Sequence, residues 1–159
     1  FMHGGLAHLG GNMLYLWVFG DNLENVMGHL NYLLFYLICG VLAALAHVFT
    51  SAYFNQSLLI PSLGASGAIT GALGGYLLVF PMRRVFMWAF IFTFWVPAFL
   101  ALGVWIIFQV VNGMGTLGGQ ETGGVAYAAH IGGFAAGFLL VRRFIDKDYV
   151  LQQQRKIMR

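Results

Sequence analysis

Charge is what this chain has least of: Asp, Glu, Lys and Arg make up 8% of its 159 residues. Soluble domains carry roughly 25%, so a globule this poor in charge could not cover its surface in water. Disorder is excluded as well, because it needs low hydrophobicity and high charge. Cysteine is nearly absent; the one present, Cys39, lies in an apolar run, cannot form an internal disulfide and is expected to pack. No charged leader or signal-peptide pattern opens the sequence at Phe1. The chain is therefore expected to be a fragment or core that lacks something upstream.

What is present is apolar. Hydrophobic residues make up 60%, and mean hydropathy is +0.79. A polytopic helical membrane protein is the remaining class. At about 20 residues per span, the length leaves room for about five spans. The expected fold is all-α, a transmembrane helical bundle of residues 1–145 in the lipid bilayer, followed by a polar cytoplasmic tail at 146–159. The basic residues cluster at Arg83, Arg84, Arg142, Arg143, Lys147, Arg155, Lys156 and Arg159. That clustering encodes topology and not a nucleic-acid patch, so no nucleic acid partner is expected.

Five apolar stretches run over about residues 6–19, 32–49, 64–80, 85–111 and 125–145. The first is expected to end in the polar group Asp21, Asn22, Glu24 and Asn25. The fourth is too long for one span, and Pro97 is expected to divide it into an interfacial or re-entrant piece and a helix. Arg83-Arg84 and the tail from Arg142 face the cytoplasm by the positive-inside rule. Loops 51–62 and 113–124 then lie outside. Glycine is abundant, 22 residues, much of it inside apolar segments. Gly67, Gly71 and Gly75 form a four-residue ladder, and Gly133 and Gly137 a second. In lipid such ladders let helices approach closely, and packing alone explains them.

Polar groups facing lipid are costly, so those within spans point to function. His3, His8, Asn12, Ser66, Thr70 and His130 all fall in the outer halves of their segments. His8 and Asn12 share a helix face, where they serve either as interhelical hydrogen-bond partners or as part of a site. His3 is half a turn off that face at roughly 100° per residue, so it belongs at the helix entrance, bonded to a loop. Zinc is disfavoured: the His3–His8 spacing is not that of a helical metal motif, and no carboxylate or thiol is near. Ser66 opens a helix within Gly64-Ala65-Ser66-Gly67. There it either caps the helix or presents a hydroxyl and backbone N–H to an approaching substrate backbone. His130 shares a face with Gly133 and Gly137; if that face packs on the third segment, His130 reaches Ser66. A serine beside a histidine base is a nucleophile signature. Four of the five carboxylates (Asp21, Glu24, Asp146, Asp148) are assigned to the cytoplasm, and Glu121 to the outer loop. That favours a Ser–His dyad over a triad, with His8, Asn12 and the Ser66 N–H as oxyanion donors.

His3-x4-His8-x3-Asn12, then Gly64-Ala65-Ser66-Gly67, then Ala129-His130-Ile131-Gly132-Gly133 resemble the rhomboid intramembrane serine proteases over nearly the whole chain. Residues 19–24, Phe-Gly-Asp-Asn-Leu-Glu, look like the bacterial form. The resemblance implies cleavage of transmembrane protein substrates, with Ser66 as nucleophile and His130 as general base and acid. It implies an oxyanion hole of His8, Asn12 and the Ser66 N–H, and His3 holding the preceding external loop. Gly64 and Gly67 keep the serine approachable, and Gly133 and Gly137 allow close packing of the catalytic helices. No metal or organic cofactor is implied. The implied location is the bacterial cytoplasmic membrane, with loop 113–124 acting as a gate. The family core has six spans; five are expected here, without the first. Thr70 stands where some members carry a tyrosine near the histidine ring, and Val26 where many bacterial members carry an arginine. The rival functions are a non-catalytic protein that binds client transmembrane helices and, less favoured for want of intramembrane carboxylates, a transporter or channel.

Overall fold

Lipid offers a backbone no hydrogen-bond partner, so apolar segments inside it must satisfy themselves, as helices do. The computed structural model describes residues 3–56, 64–89, 92–117 and 125–145. It contains helices α1 (Leu6–Tyr15), α2 (Asp21–Met27), α3 (His29–Tyr53), α4 (Ser66–Val79), α5 (Ala98–Leu117) and α6 (Tyr127–Leu140). Strands β1 (Arg84–Ala89) and β2 (Phe92–Pro97) pair antiparallel between α4 and α5. Among the described helices, α3 and α5 are long and apolar enough to cross a membrane.

Three boundaries differ from expectation. The polar group at residues 21–25 does not end the first helix. A π-helical turn at Leu16–Gly20 joins α1 to α2, and the amide of Asn22 donates to the Val18 carbonyl at 3.0 Å. That polar side chain is satisfied by its own helix, while Leu23, Val26 and Met27 stay buried. The chain then turns at Gly28, whose φ of 77° favours glycine. Pro97 does divide the fourth stretch, but the piece before it is a hairpin. Val85 faces Val96 and Phe86 faces Trp95, so β-branched and aromatic pairs hold the register. Two bonds close its base, from the Ala98 N–H to the Arg83 carbonyl at 2.8 Å and from the Phe99 N–H to the Pro81 carbonyl at 2.9 Å. Finally, residues 113–117 and 51–53 are helical, so both outer loops are shorter than expected. Residues 57–63 and 118–124, and the tail from 146, lie outside the described residues, with Pro61, Glu121, Asp146 and Asp148.

The interior is apolar as in a soluble protein, but the outer faces are apolar too. Helix α3 exposes Leu30, Leu33, Leu37, Val41 and Val48 while burying Phe35, Cys39 and Ala43. Cys39 is thus a packing residue, as expected. Helix α4 lies at the centre, buried continuously from Ala68 to Tyr76, between α3 and α6. The glycine ladders make its contact with α6 possible. A methyl group at Gly133 would collide with the Gly67 carbonyl, and one at Gly137 with the Gly71 carbonyl. Helix association in lipid relies on such close packing, because burial from lipid gives no hydrophobic gain. Leu23, Phe35 and Val141, all fully buried, close around Gly75 of α4.

Gly137→Ala is expected to lower stability by about 1–3 kcal/mol, the usual cost of overpacking, because the obstacle is backbone. Gly103→Ala on α5 meets nothing within 4 Å and serves as the control. Thermal unfolding in detergent should separate the two; equal melting temperatures would contradict the close α4–α6 contact.

Candidate active site

Gly64 precedes α4 with a φ of 102°, a conformation that favours glycine. This turn brings Ser66 to the first position of the helix. On α6, His130 lies three residues before Gly133, on the face that meets α4. The glycine contact therefore carries it to Ser66: His130 Nε2 is 2.9 Å from Ser66 Oγ. The expected pairing forms, across 64 residues of sequence.

The other imidazole nitrogen also has a partner. His130 Nδ1 lies 2.9 Å from Oε1 of Gln109 on α5. An amide oxygen accepts only, so the proton belongs on Nδ1. Nε2 is then the acceptor for the Ser66 hydroxyl. The Trp105 indole lies beside the same ring, centroids 6.1 Å apart at 34°. Gln109 and Trp105 were not among the residues expected at the site. Gln109 carried a partial signal, being one of three polar side chains, with Asn112 and Thr116, in a largely apolar helix. Its meeting with His130 depends on how α5 packs.

His8, Asn12, Ser66, His130, Gln109 and Trp105 line one cavity of about 580 Å³. The N–H of Gly4 donates to His8 Nδ1 at 3.4 Å, so a neutral His8 carries its proton on Nε2. Asn12 is buried, and its Nδ2 has no hydrogen-bond partner among the described residues. A buried amide left this way costs about 1–3 kcal/mol, so the site holds an unused donor. His3 is set apart from the Ser66–His130 pair and packs edge-on against the His8 ring, centroids 5.2 Å apart. The loop bond expected for His3 is not made among the described residues, where its Nε2 has no partner. Thr70 is buried on α4 and donates to the Gly67 carbonyl at 2.8 Å. The described residues hold no group of three or more His, Cys, Asp or Glu able to hold a metal.

A family model for the rhomboid domain matches residues 1–147. The chain belongs to the rhomboid family. Mitochondrial rhomboid protein 1 of Saccharomyces cerevisiae is 33% identical over 158 residues, 99% of this chain and 43% of that protein. RHOMBOID-like protein 4 of Arabidopsis thaliana is 38% identical over 140 residues, 87% of this chain and 31% of the relative. Rhomboid protease GluP of Bacillus subtilis is 35% identical over 138 residues, 86% of this chain and 23% of the relative. The chain thus spans less than half the length of these rhomboid relatives. No solved structure matches it.

A Cβ at Gly64 would stand 3.0 Å from both Cε1 and Nε2 of His8 and 3.3 Å from Asn12 Nδ2. Gly64→Ala is therefore expected to cost about 1–3 kcal/mol through backbone strain and to displace His8. Thermal unfolding checks this; unchanged melting would contradict the turn.

Proposed function

We propose that the chain is the catalytic core of an intramembrane serine endopeptidase that cleaves transmembrane protein substrates with a Ser66–His130 dyad. The 2.9 Å contact between Ser66 Oγ and His130 Nε2, on the wall of a cavity, carries this proposal. Depth supports it. The 14 residues of α4 rise about 21 Å at 1.5 Å each, while the hydrocarbon core is about 30 Å thick. With its far end at the Arg83-Arg84 boundary, Ser66 lies within the bilayer, where a substrate span can reach it. Membership of a membrane-protein family that includes a named protease supports it further. We assign the chain to a bacterial cytoplasmic membrane on residues 19–24, with Arg83-Arg84 facing the cytoplasm.

In the mechanism, Ser66 Oγ attacks the scissile carbonyl carbon as its proton passes to His130 Nε2. The carbonyl oxygen becomes an oxyanion, stabilised by Asn12 Nδ2, His8 Nε2–H and the Ser66 N–H. His130 returns the proton to the leaving amine as the C–N bond breaks. A water molecule, deprotonated by His130, then hydrolyses the acyl-enzyme and regenerates Ser66.

The first test uses the full-length protein in liposomes with a fluorophosphonate probe. Wild type should label, and Ser66→Ala and His130→Ala should not. Absence of labelling in folded wild type would favour a non-catalytic protein that binds client helices. Asn12→Ala should slow turnover by about 100–1,000-fold, the usual cost of losing one oxyanion donor, and leave KM nearly unchanged. A KM effect alone would return Asn12 to packing.

The pH dependence has a definite sign. Neutral imidazole accepts the serine proton and imidazolium does not, so activity rises with pH through the titration of His130 and is lost below it. A labelling rate that stays flat down to the pH at which the folded protein itself is lost would remove His130 as the base.

A further inference from the structure

We propose that Gln109 and Trp105 are positioning residues that hold the His130 imidazole in its working tautomer and orientation. The inference rests on the assignment of His130 as the base. Both residues lie on α5, one turn apart, on the stripe that also buries Ala98 and Leu102. They approach the ring from different directions. Gln109, only 6% exposed, meets the ring edge at Nδ1. Trp105 lies beside the ring and also packs on Phe134, one turn further along α6, with centroids 6.2 Å apart.

The chemistry requires such a hold. A neutral imidazole has two tautomers, and only the one protonated on Nδ1 can accept a proton from Ser66 at Nε2. In a Ser-His-Asp triad a buried carboxylate selects that tautomer. Here the amide oxygen of Gln109 is placed to select it without taking a charge into the bilayer, where an unpaired carboxylate is costly. The other titratable side chains lining the cavity are His8 and Tyr15 of α1. Among the described lining residues there is no carboxylate, lysine or arginine.

The test measures the rate of fluorophosphonate labelling against pH for the full-length protein in liposomes. Gln109→Leu, similar in size but unable to accept a hydrogen bond, should slow labelling by about 10–100-fold, as small misplacements of catalytic groups do. Gln109→Glu should recover most of the rate and move the acid limb up by about one pH unit, because a carboxylate favours the imidazolium. Trp105→Phe should stay near wild type, and Trp105→Ala should be slow. A merely structural loss lowers stability without moving the limb, so Gln109→Glu keeps the proposal falsifiable even where Gln109→Leu folds poorly. Wild-type rates in Gln109→Leu, or an unmoved limb in Gln109→Glu, would overturn the positioning role while leaving the dyad intact. A wild type that does not label would overturn the dyad itself, and this inference with it.

Discussion

The approach of α4 to α6, close enough that backbone faces backbone, is the constraint on which the rest depends. Gly133 lies against the Gly67 carbonyl and Gly137 against the Gly71 carbonyl. No side chain larger than hydrogen fits at either place. Ser66 is next to Gly67, and His130 is three residues before Gly133, so the glycine pairing also fixes the distance between hydroxyl and imidazole. A wider helix pair would leave two isolated polar groups in lipid, each costly and neither useful.

Around that contact the molecule divides into two ends. At one, Leu23, Phe35 and Val141 are fully buried and close around Gly75. At the other, α1, α4, α5 and α6 each contribute polar side chains to one cavity. The apolar end holds the helices in register, and the polar end uses the register. Asn12 belongs to the polar end, buried on the cavity wall with its Nδ2 unpartnered among the described residues.

Much of this was legible in the sequence because lipid imposes simple rules. Apolar length announced the helices, and the arginine pair at 83–84 marked a helix end. Proline 97 marked the start of α5, one residue before the helix begins. The glycine ladders announced a close contact, and the family resemblance named the two helices that make it. Legibility failed where local patterns were ambiguous. Residues 85–96 are apolar without a clear period, and their pairing as a hairpin came from cross-strand partners such as Val85 and Val96. The polar group at 21–25 looked like a helix end, yet Asn22 satisfies itself on the Val18 carbonyl and the helical path continues.

The sequence by itself determined the class of protein, most of its helical segments and the identity of the polar residues that lipid would not tolerate idly. Its order of motifs also pointed to the serine and the histidine, because those residue types are rare inside a span. Only the tertiary structure decided which groups meet. Gln109 is an ordinary glutamine on α5 until packing sets it 2.9 Å from His130, and Asn12 is a helix residue until the fold buries it without a partner. Periodicity encodes which face a side chain occupies along its own helix. The distance between faces of different helices is a property of packing, and here it is set by a few missing methyl groups on α4 and α6.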